Sequence, residues 1–134
     1  MDRIAATLQR DGLQAKDAIA ICASTSVDYL AVFLAALRCG VAVAPLAPSS
    51  TPETIATMIS DSSSKLFFLD KGVSEELAKV AGSIKAKRIS LDDSDAGEPF
   101  SQWLAAEGAR PAHVTVAPES AFNIIYSSGT TGTP

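Results

Sequence analysis

Short uninterrupted apolar runs alternate with amphipathic stretches along this chain, and the alternation predicts its elements. Residues 18–23 (AIAICA) follow Lys16-Asp17 without a charged or hydroxyl side chain among them. They read as a strand buried on both faces, because a strand with one wet face would alternate. Thr25, with Asp28 three positions on, predicts a helix start, since a hydroxyl can accept from the free amides of the first turn. That helix covers residues 27–37 and is stopped by Gly40. Val27, Leu30, Leu34 and Leu37 mark one apolar face, which Tyr29, Val32 and Phe33 widen, so packing on more than one side is expected. Residues 41–46 (VAVAPL) are a second strand. Thr51-Pro52-Glu53 then supplies a cap, a proline suited to the first helical position and an acid for the first turn, with Ile55, Met58 and Ile59 as the apolar side. Residues 65–70 (KLFFLD) are a third strand. Ser74-Glu75-Glu76 predicts the next helix start, with Leu77, Val80 and Ala81 buried and Gly82 as the stop. Residues 87–91 read as a weaker fourth strand, 92–95 (DDSD) as a solvated loop, and 99–106 as one more short helix. The Ser-rich residues 60–64 read as a turn.

Strands alternating with helices of these lengths predict an α/β fold, a parallel sheet flanked by helices, because parallel neighbours need crossover connections. At 134 residues the chain fits one domain, and about two-thirds of its unfolded surface can be buried at this size. With 47% hydrophobic and 19% charged residues it has the composition of a folded protein rather than a disordered one. A net charge of -4 and the absence of a Lys/Arg stripe argue against nucleic acid as a partner. The longest apolar run is flanked by Asp28 and Arg38 and falls short of the roughly 18 to 20 residues of a membrane span. No transmembrane segment and a cytoplasmic location are therefore expected, Met1-Asp2-Arg3-Ile4 having no signal-peptide pattern. Two cysteines, Cys22 and Cys39, lack the spacing of a disulfide framework or a zinc site and read as buried free thiols.

Chemistry concentrates at the C-terminal end. Residues 122–126 (FNIIY) read as a strand running directly into Ser127-Ser128-Gly129-Thr130-Thr131-Gly132-Thr133-Pro134. Glycines allow backbone amides to turn toward an anion, and serine and threonine hydroxyls add donors for phosphate oxygens. Composition alone leaves a flexible linker as the alternative.

The order of these residues goes further. Tyr-Ser-Ser-Gly-Thr-Thr-Gly-Thr-Pro resembles the phosphate-loop signature of the adenylate-forming (AMP-binding) superfamily, of which acyl-CoA synthetases, luciferases and peptide-synthetase adenylation domains are members. There the pattern continues with Lys-Gly, whereas this sequence stops at Pro134. Residues 34–46 (LAALRCGVAVAPL) resemble the family's helix-to-strand passage, and residues 55–69 its next helix and strand. Residues 3–8 resemble a helix that family enzymes reach after an opening pair of strands. The resemblance implies that residues 1–134 are a single partial domain, the early part of the large N-terminal domain, ending inside the phosphate loop. It further implies an AMP-forming acid-thiol ligase of the acyl-CoA synthetase type. Such an enzyme uses ATP and Mg²⁺ to activate a carboxylic acid, fatty or aryl, as acyl-adenylate and passes the acyl group to CoA. By motif match, Ser127, Ser128, Gly129, Thr130, Thr131, Gly132 and Thr133 would hold the ATP phosphates. The adenine, ribose and acyl pockets and a catalytic lysine would lie downstream. No catalytic or metal-ligating residue is assigned in this chain, which alone is expected to be inactive and to self-associate through surfaces that further residues would cover.

Other readings compete on residues. A receiver-type signalling domain fits the alternation, with Asp70 at the end of the third strand, but Ile21-Cys22-Ala23-Ser24 supplies no Mg²⁺ acids and Tyr126-Ser127 stands where a lysine is expected. A dinucleotide fold lacks Gly-x-Gly-x-x-Gly after the first strand, and a nucleotide-triphosphatase loop lacks Gly-Lys-Ser/Thr. A structural module without catalysis is the remaining alternative. His113 reads as an exposed loop residue, Trp103 as helix packing and Tyr126 as strand core.

Overall fold

A computed structural model describes residues 1–127. Five strands form one wholly parallel sheet: β1 (Ala18–Cys22), β2 (Ala42–Pro45), β3 (Leu66–Leu69), β4 (Lys87–Ser90) and the two-residue β5 (Glu98–Pro99), in the order β2-β1-β3-β4-β5. In β1, Ala18 pairs with Ala42 and Ile21 with Pro45 on one side, while Ile19 pairs with Leu66 and Cys22 with Leu69 on the other. Around the sheet lie α1 (Asp2–Arg10), α2 (Val27–Arg38), α3 (Pro52–Asp61), α4 (Lys71–Glu76) and α5 (Phe100–Trp103). The expected α/β architecture, a parallel sheet flanked by helices, is the one observed.

The pleat sends alternate side chains to two cores. Ile19, Ile21, Val43, Leu66, Phe68 and Ile89 face α1, α2 and α5, where Ile4, Leu8, Val32, Ala35, Phe100 and Trp103 meet them. Ala20, Cys22, Ala44, Phe67 and Leu69 face the other way, onto Ile55, Met58 and Ile59 of α3 and onto Val73 and Leu77. Double burial is why β1 and β3 are apolar at every position. Both thiols are free and buried. Gly97 permits the close approach of β5 to β4, since a Cβ there would lie 2.6 Å from the carbonyl oxygen of Arg88. Gly40, at φ +71, ends the turn after α2 in a conformation that L side chains rarely adopt.

The local signals were partly displaced. Thr51 caps α3 as expected, accepting from the Thr54 amide at 3.2 Å, with Pro52 in the first turn. For α2 the cap is Ser26 rather than Thr25, accepting from the Tyr29 amide at 3.1 Å. The helix expected to begin at Ser74 begins three residues earlier and ends at Glu76: α4 starts at Lys71 because Asp70, directly after β3, caps it through the Val73 amide. Leu77 still packs inward, from the turns that follow. The helix expected over 99–106 is confined to four residues, preceded by the unforeseen β5.

Two larger differences concern surfaces. In α2 the side turned to the sheet is Val32, Ala35 and Ala36, while the face marked by Val27, Leu30 and Leu34 is exposed, at 84%, 56% and 40% of full accessibility. Among the described residues nothing covers that stripe; α2 does pack on more than one side, as expected, but those sides meet the sheet and α1, with Tyr29 and Phe33 partly buried against the same core. The strand expected over 122–126 is reduced to one parallel bridge, Asn123 beside Val43 on the free edge of β2. Among the described residues no helix is long and apolar enough to cross a membrane.

Candidate functional site

In a parallel sheet every strand delivers its carboxyl end to the same edge, and ligands of open α/β folds gather there. The loops leaving β1, β3 and β4 are tied together at that edge by carboxylates. Asp70 accepts from the Ser24 amide at 2.8 Å and from the Val73 amide at 3.0 Å. Asp92 accepts from the Lys71 amide at 3.1 Å and from Ser90 Oγ at 2.8 Å. Desolvation works to raise the Asp92 carboxyl, but hydrogen bonds from Ser94, the Lys71 amide and Ser90 more than offset it and hold it below the usual carboxylate range. Asp93 accepts from the Ser101 amide at 2.9 Å, so the loop of residues 92–95 is anchored as well as exposed. The geometry gives Asp70 an architectural role, both its oxygens being engaged by backbone amides, which weighs against the receiver alternative.

The other end of this edge, beyond β2, has a different character. The Val43 amide donates to the Phe122 carbonyl at 3.1 Å and the Ile124 amide to the Val43 carbonyl at 2.8 Å, so the chain at 122–124 runs parallel to β2. It therefore leads Tyr126 and Ser127 toward the carboxyl edge. Ile124 and Tyr126 pack on the α3 side, whereas Ile125 is exposed. A cavity of about 220 Å³ lies between the end of β2, α3 and this segment, lined by Leu46, Ser50, Thr54, Met58, Tyr126 and Ser127. That volume is below the roughly 300 Å³ at which pockets for whole small molecules begin, so it suits part of a ligand. Hydroxyls line this end, while carboxylates crowd the β1/β3/β4 end. An anion at the sheet edge is accordingly repelled from Asp70 and Asp92 and favoured near Ser50, Thr54 and Ser127.

Of the seven residues assigned to phosphate, Ser127 is exposed at this place. Ser128, Gly129, Thr130, Thr131, Gly132 and Thr133 lie outside the described residues. Tyr126, read from sequence as core, is half-buried, and its phenol donates to an Asp61 carboxylate oxygen at 2.8 Å and approaches the Met58 carbonyl at 3.2 Å. Burial, with the Asp61 hydrogen bond and charge added, pushes this phenol up to about 12. Burial first, then the Asp70 charge, pushes the Cys22 thiol up to about 12, and burial raises Cys39. Neither cysteine is a ready nucleophile at neutral pH. His113 is exposed and Trp103 fully buried, as expected. Asn123 Oδ1 is buried without a hydrogen-bond donor among the described residues. Sequence reasoning missed the loop ties made by Asp70 and Asp92 and the Tyr126 phenol contact. An Asp directly after an apolar strand is a legible cap signal for the first, but the Tyr126 contact joins residues 65 positions apart and leaves no local trace.

Among the described residues no three His, Cys, Asp or Glu side chains gather to hold a metal ion. A Mg²⁺ ion accompanying a nucleotide needs only one or two carboxylates, its remaining ligands being water and phosphate. The described donor set thus offers no dedicated cage for it.

A parallel sheet whose free edge carries residues 122–127 toward its carboxyl side belongs to the open α/β class, whose ligands gather at that edge. The particular family follows from comparison: the AMP-binding enzyme family matches residues 1–134, and the chain belongs to it. Tyrocidine synthase 3 of Brevibacillus parabrevis is 32% identical over 133 residues, covering 99% of this chain and 2% of that one. Among solved structures, a putative long-chain-fatty-acid CoA ligase from Rhodopseudomonas palustris matches 95% of this chain and 33% of its own, with a TM-score of 0.82 and 22% identity. The luciferase-like enzyme of the mealworm Zophobas morio matches 98% of this chain and 32% of its own, again with a TM-score of 0.82 and 22% identity. At those identities the structures speak for the fold alone. This chain spans only a few per cent of the curated relatives and about a third of the matched solved chains.

Proposed function

We propose that this chain is the phosphate-loop-bearing part of an ATP-dependent enzyme that activates a carboxylic acid as its adenylate and passes the acyl group to a thiol. The observation that carries this is the delivery of Ser127, first residue of Ser-Ser-Gly-Thr-Thr-Gly-Thr, to the hydroxyl-lined end of the sheet edge. In the reaction a carboxylate oxygen attacks the α-phosphorus of ATP, the bond to the β-phosphate oxygen breaks, and pyrophosphate leaves. The attacking carboxylate is already ionised at neutral pH, so no general base is required. Amides and hydroxyls of residues 127–133 would hold the β- and γ-phosphates, fix the nucleotide for in-line attack and stabilise the charge gathering on pyrophosphate. Mg²⁺ enters only as the counter-ion that arrives with ATP.

In one reading the thiol is CoA and the substrate a fatty or aryl acid. A second reading is favoured by the curated relatives, which are peptide and polyketide synthetases. Here the acceptor is a carrier-protein thiol. In either case the adenine, ribose and acyl pockets and the catalytic lysine belong to further residues, and residues 1–134 form part of a larger domain. Expressed alone, they are expected to be inactive and to associate through the Val27/Leu30/Leu34 stripe; a monodisperse monomer by light scattering would remove the second expectation.

The test is acid-dependent ATP–pyrophosphate exchange by the longest natural chain containing residues 1–134, across fatty, aryl and amino acids, followed by transfer to CoA or to a carrier protein. Exchange establishes adenylation, and the transfer step decides the acceptor. No exchange with any acid would leave the structural-module reading ahead.

A further inference from the structure

Beyond Ile124, the described chain is held by the polar contacts of one side chain, the Tyr126 hydroxyl. The Ile124 amide is fixed to Val43 at 2.8 Å, and two residues on the Tyr126 hydroxyl is fixed to Asp61 at 2.8 Å, with the Met58 carbonyl at 3.2 Å. A phenol has a single hydrogen, so the shorter, charge-assisted bond to Asp61 takes most of it. Asp61 is the last residue of α3, where a carboxylate is disfavoured by the helix dipole, and the last turn of α3 holds no basic residue to offset it. Helix stability therefore gives no reason for an acid there, whereas the Tyr126 hydroxyl does. A phenylalanine would pack equally well against the same core but would leave the chain free to slide along α3.

We propose that Tyr126 is a positioning residue: hydrogen-bonded to Asp61, its phenol sets where the phosphate-binding stretch leaves the sheet, one residue before Ser127. This rests on the reading of residues 127–133 as a phosphate loop. Because the contact acts on the placement of the loop, its loss shows in nucleotide affinity before it shows in turnover. The ring stays in place in Tyr126→Phe, so the fold is retained.

The experiment measures KM for ATP and kcat in the exchange reaction of the full-length chain for the wild type, Tyr126→Phe, Asp61→Ala, Asp61→Asn and the Tyr126→Phe/Asp61→Ala double variant. Tyr126→Phe and Asp61→Ala are each expected to raise KM about three- to tenfold with kcat within about twofold, the size of one partly exposed hydrogen bond to a charged group. The double variant is expected to be no worse than the poorer single one, because both remove the same contact. Asp61→Asn keeps an acceptor oxygen and is expected to restore most of the affinity. A wild-type KM in Tyr126→Phe, or additive effects in the double variant, would overturn the inference while leaving adenylation intact. Absence of exchange in the wild type itself would remove the functional reading, and this inference with it.

Discussion

Replacing Trp103 by alanine is expected to lower the folding free energy by about 3–5 kcal/mol, the largest loss that a single side chain of this molecule should produce. The ring is fully buried. It meets Phe68 of β3 edge-on at 5.3 Å and lies against Phe100 at 5.9 Å, so its removal opens a cavity where α5, the sheet and α1 converge. Its indole N–H also donates to Asp11 at 2.7 Å, at the end of α1, and alanine leaves that carboxylate without this partner. The contact joins residues 92 positions apart, closing one face of the fold. Urea denaturation followed by circular dichroism measures the loss, since Trp103 is the sole tryptophan and its own fluorescence disappears with it. A loss below about 1 kcal/mol would mean that the remaining aromatic pair repacks and that Trp103 fills space without holding the face together.

The largest expected effect on activity lies in the proposed phosphate loop. Thr130→Val and Thr131→Val each remove one hydroxyl and keep the β-branched shape, so the change is one of donors rather than of volume. If such a hydroxyl meets the charge developing on departing pyrophosphate, exchange by the full-length chain is expected to fall about 10²-fold, the usual cost of one donor to a transition-state anion. The melting temperature should stay that of the wild type. Exchange within about threefold of wild type for both variants would count against these hydroxyls as phosphate donors. It would leave the backbone amides around Gly129 and Gly132 to carry the contact. These variants differ from Tyr126→Phe in kind: loss of a donor to the leaving group lowers kcat, whereas loss of the upstream tie raises KM.

Some elements were legible in the sequence because their signals are local. Residues 18–22 and 66–69 are apolar without interruption since both faces are covered, and no helix-length stretch competes with them. Thr51-Pro52-Glu53 announced α3, where the cap, the proline and the acid agree. Where two local signals competed, only packing chose between them. Ser74-Glu75-Glu76 resembles a helix start, but Asp70 lies directly after β3 and captured the Val73 amide first, moving α4 upstream. For α2 the apolar positions go almost all the way round, so periodicity permitted several inward faces, and packing against the sheet and α1 turned Val32, Ala35 and Ala36 inward. The two-residue β5 exists because Gly97 lets backbone approach backbone, which no hydrophobic pattern encodes.

The same division holds for the candidate site. By itself the sequence determined the layered α/β class, through its uninterrupted strands, and the order of Ser127 to Pro134 that resembles a phosphate loop; both reside in neighbouring residues whose properties are fixed by covalent connection. Tertiary structure alone decided the strand order β2-β1-β3-β4-β5, the placement of residues 122–124 on the β2 edge, the carboxylate ties that make the β1/β3 crevice unfavourable to anions, and the Tyr126–Asp61 contact. Each of these joins residues tens of positions apart. Their pairing becomes favourable only after the chain has met the entropic cost of closing the intervening loop, and no short window of sequence records that balance.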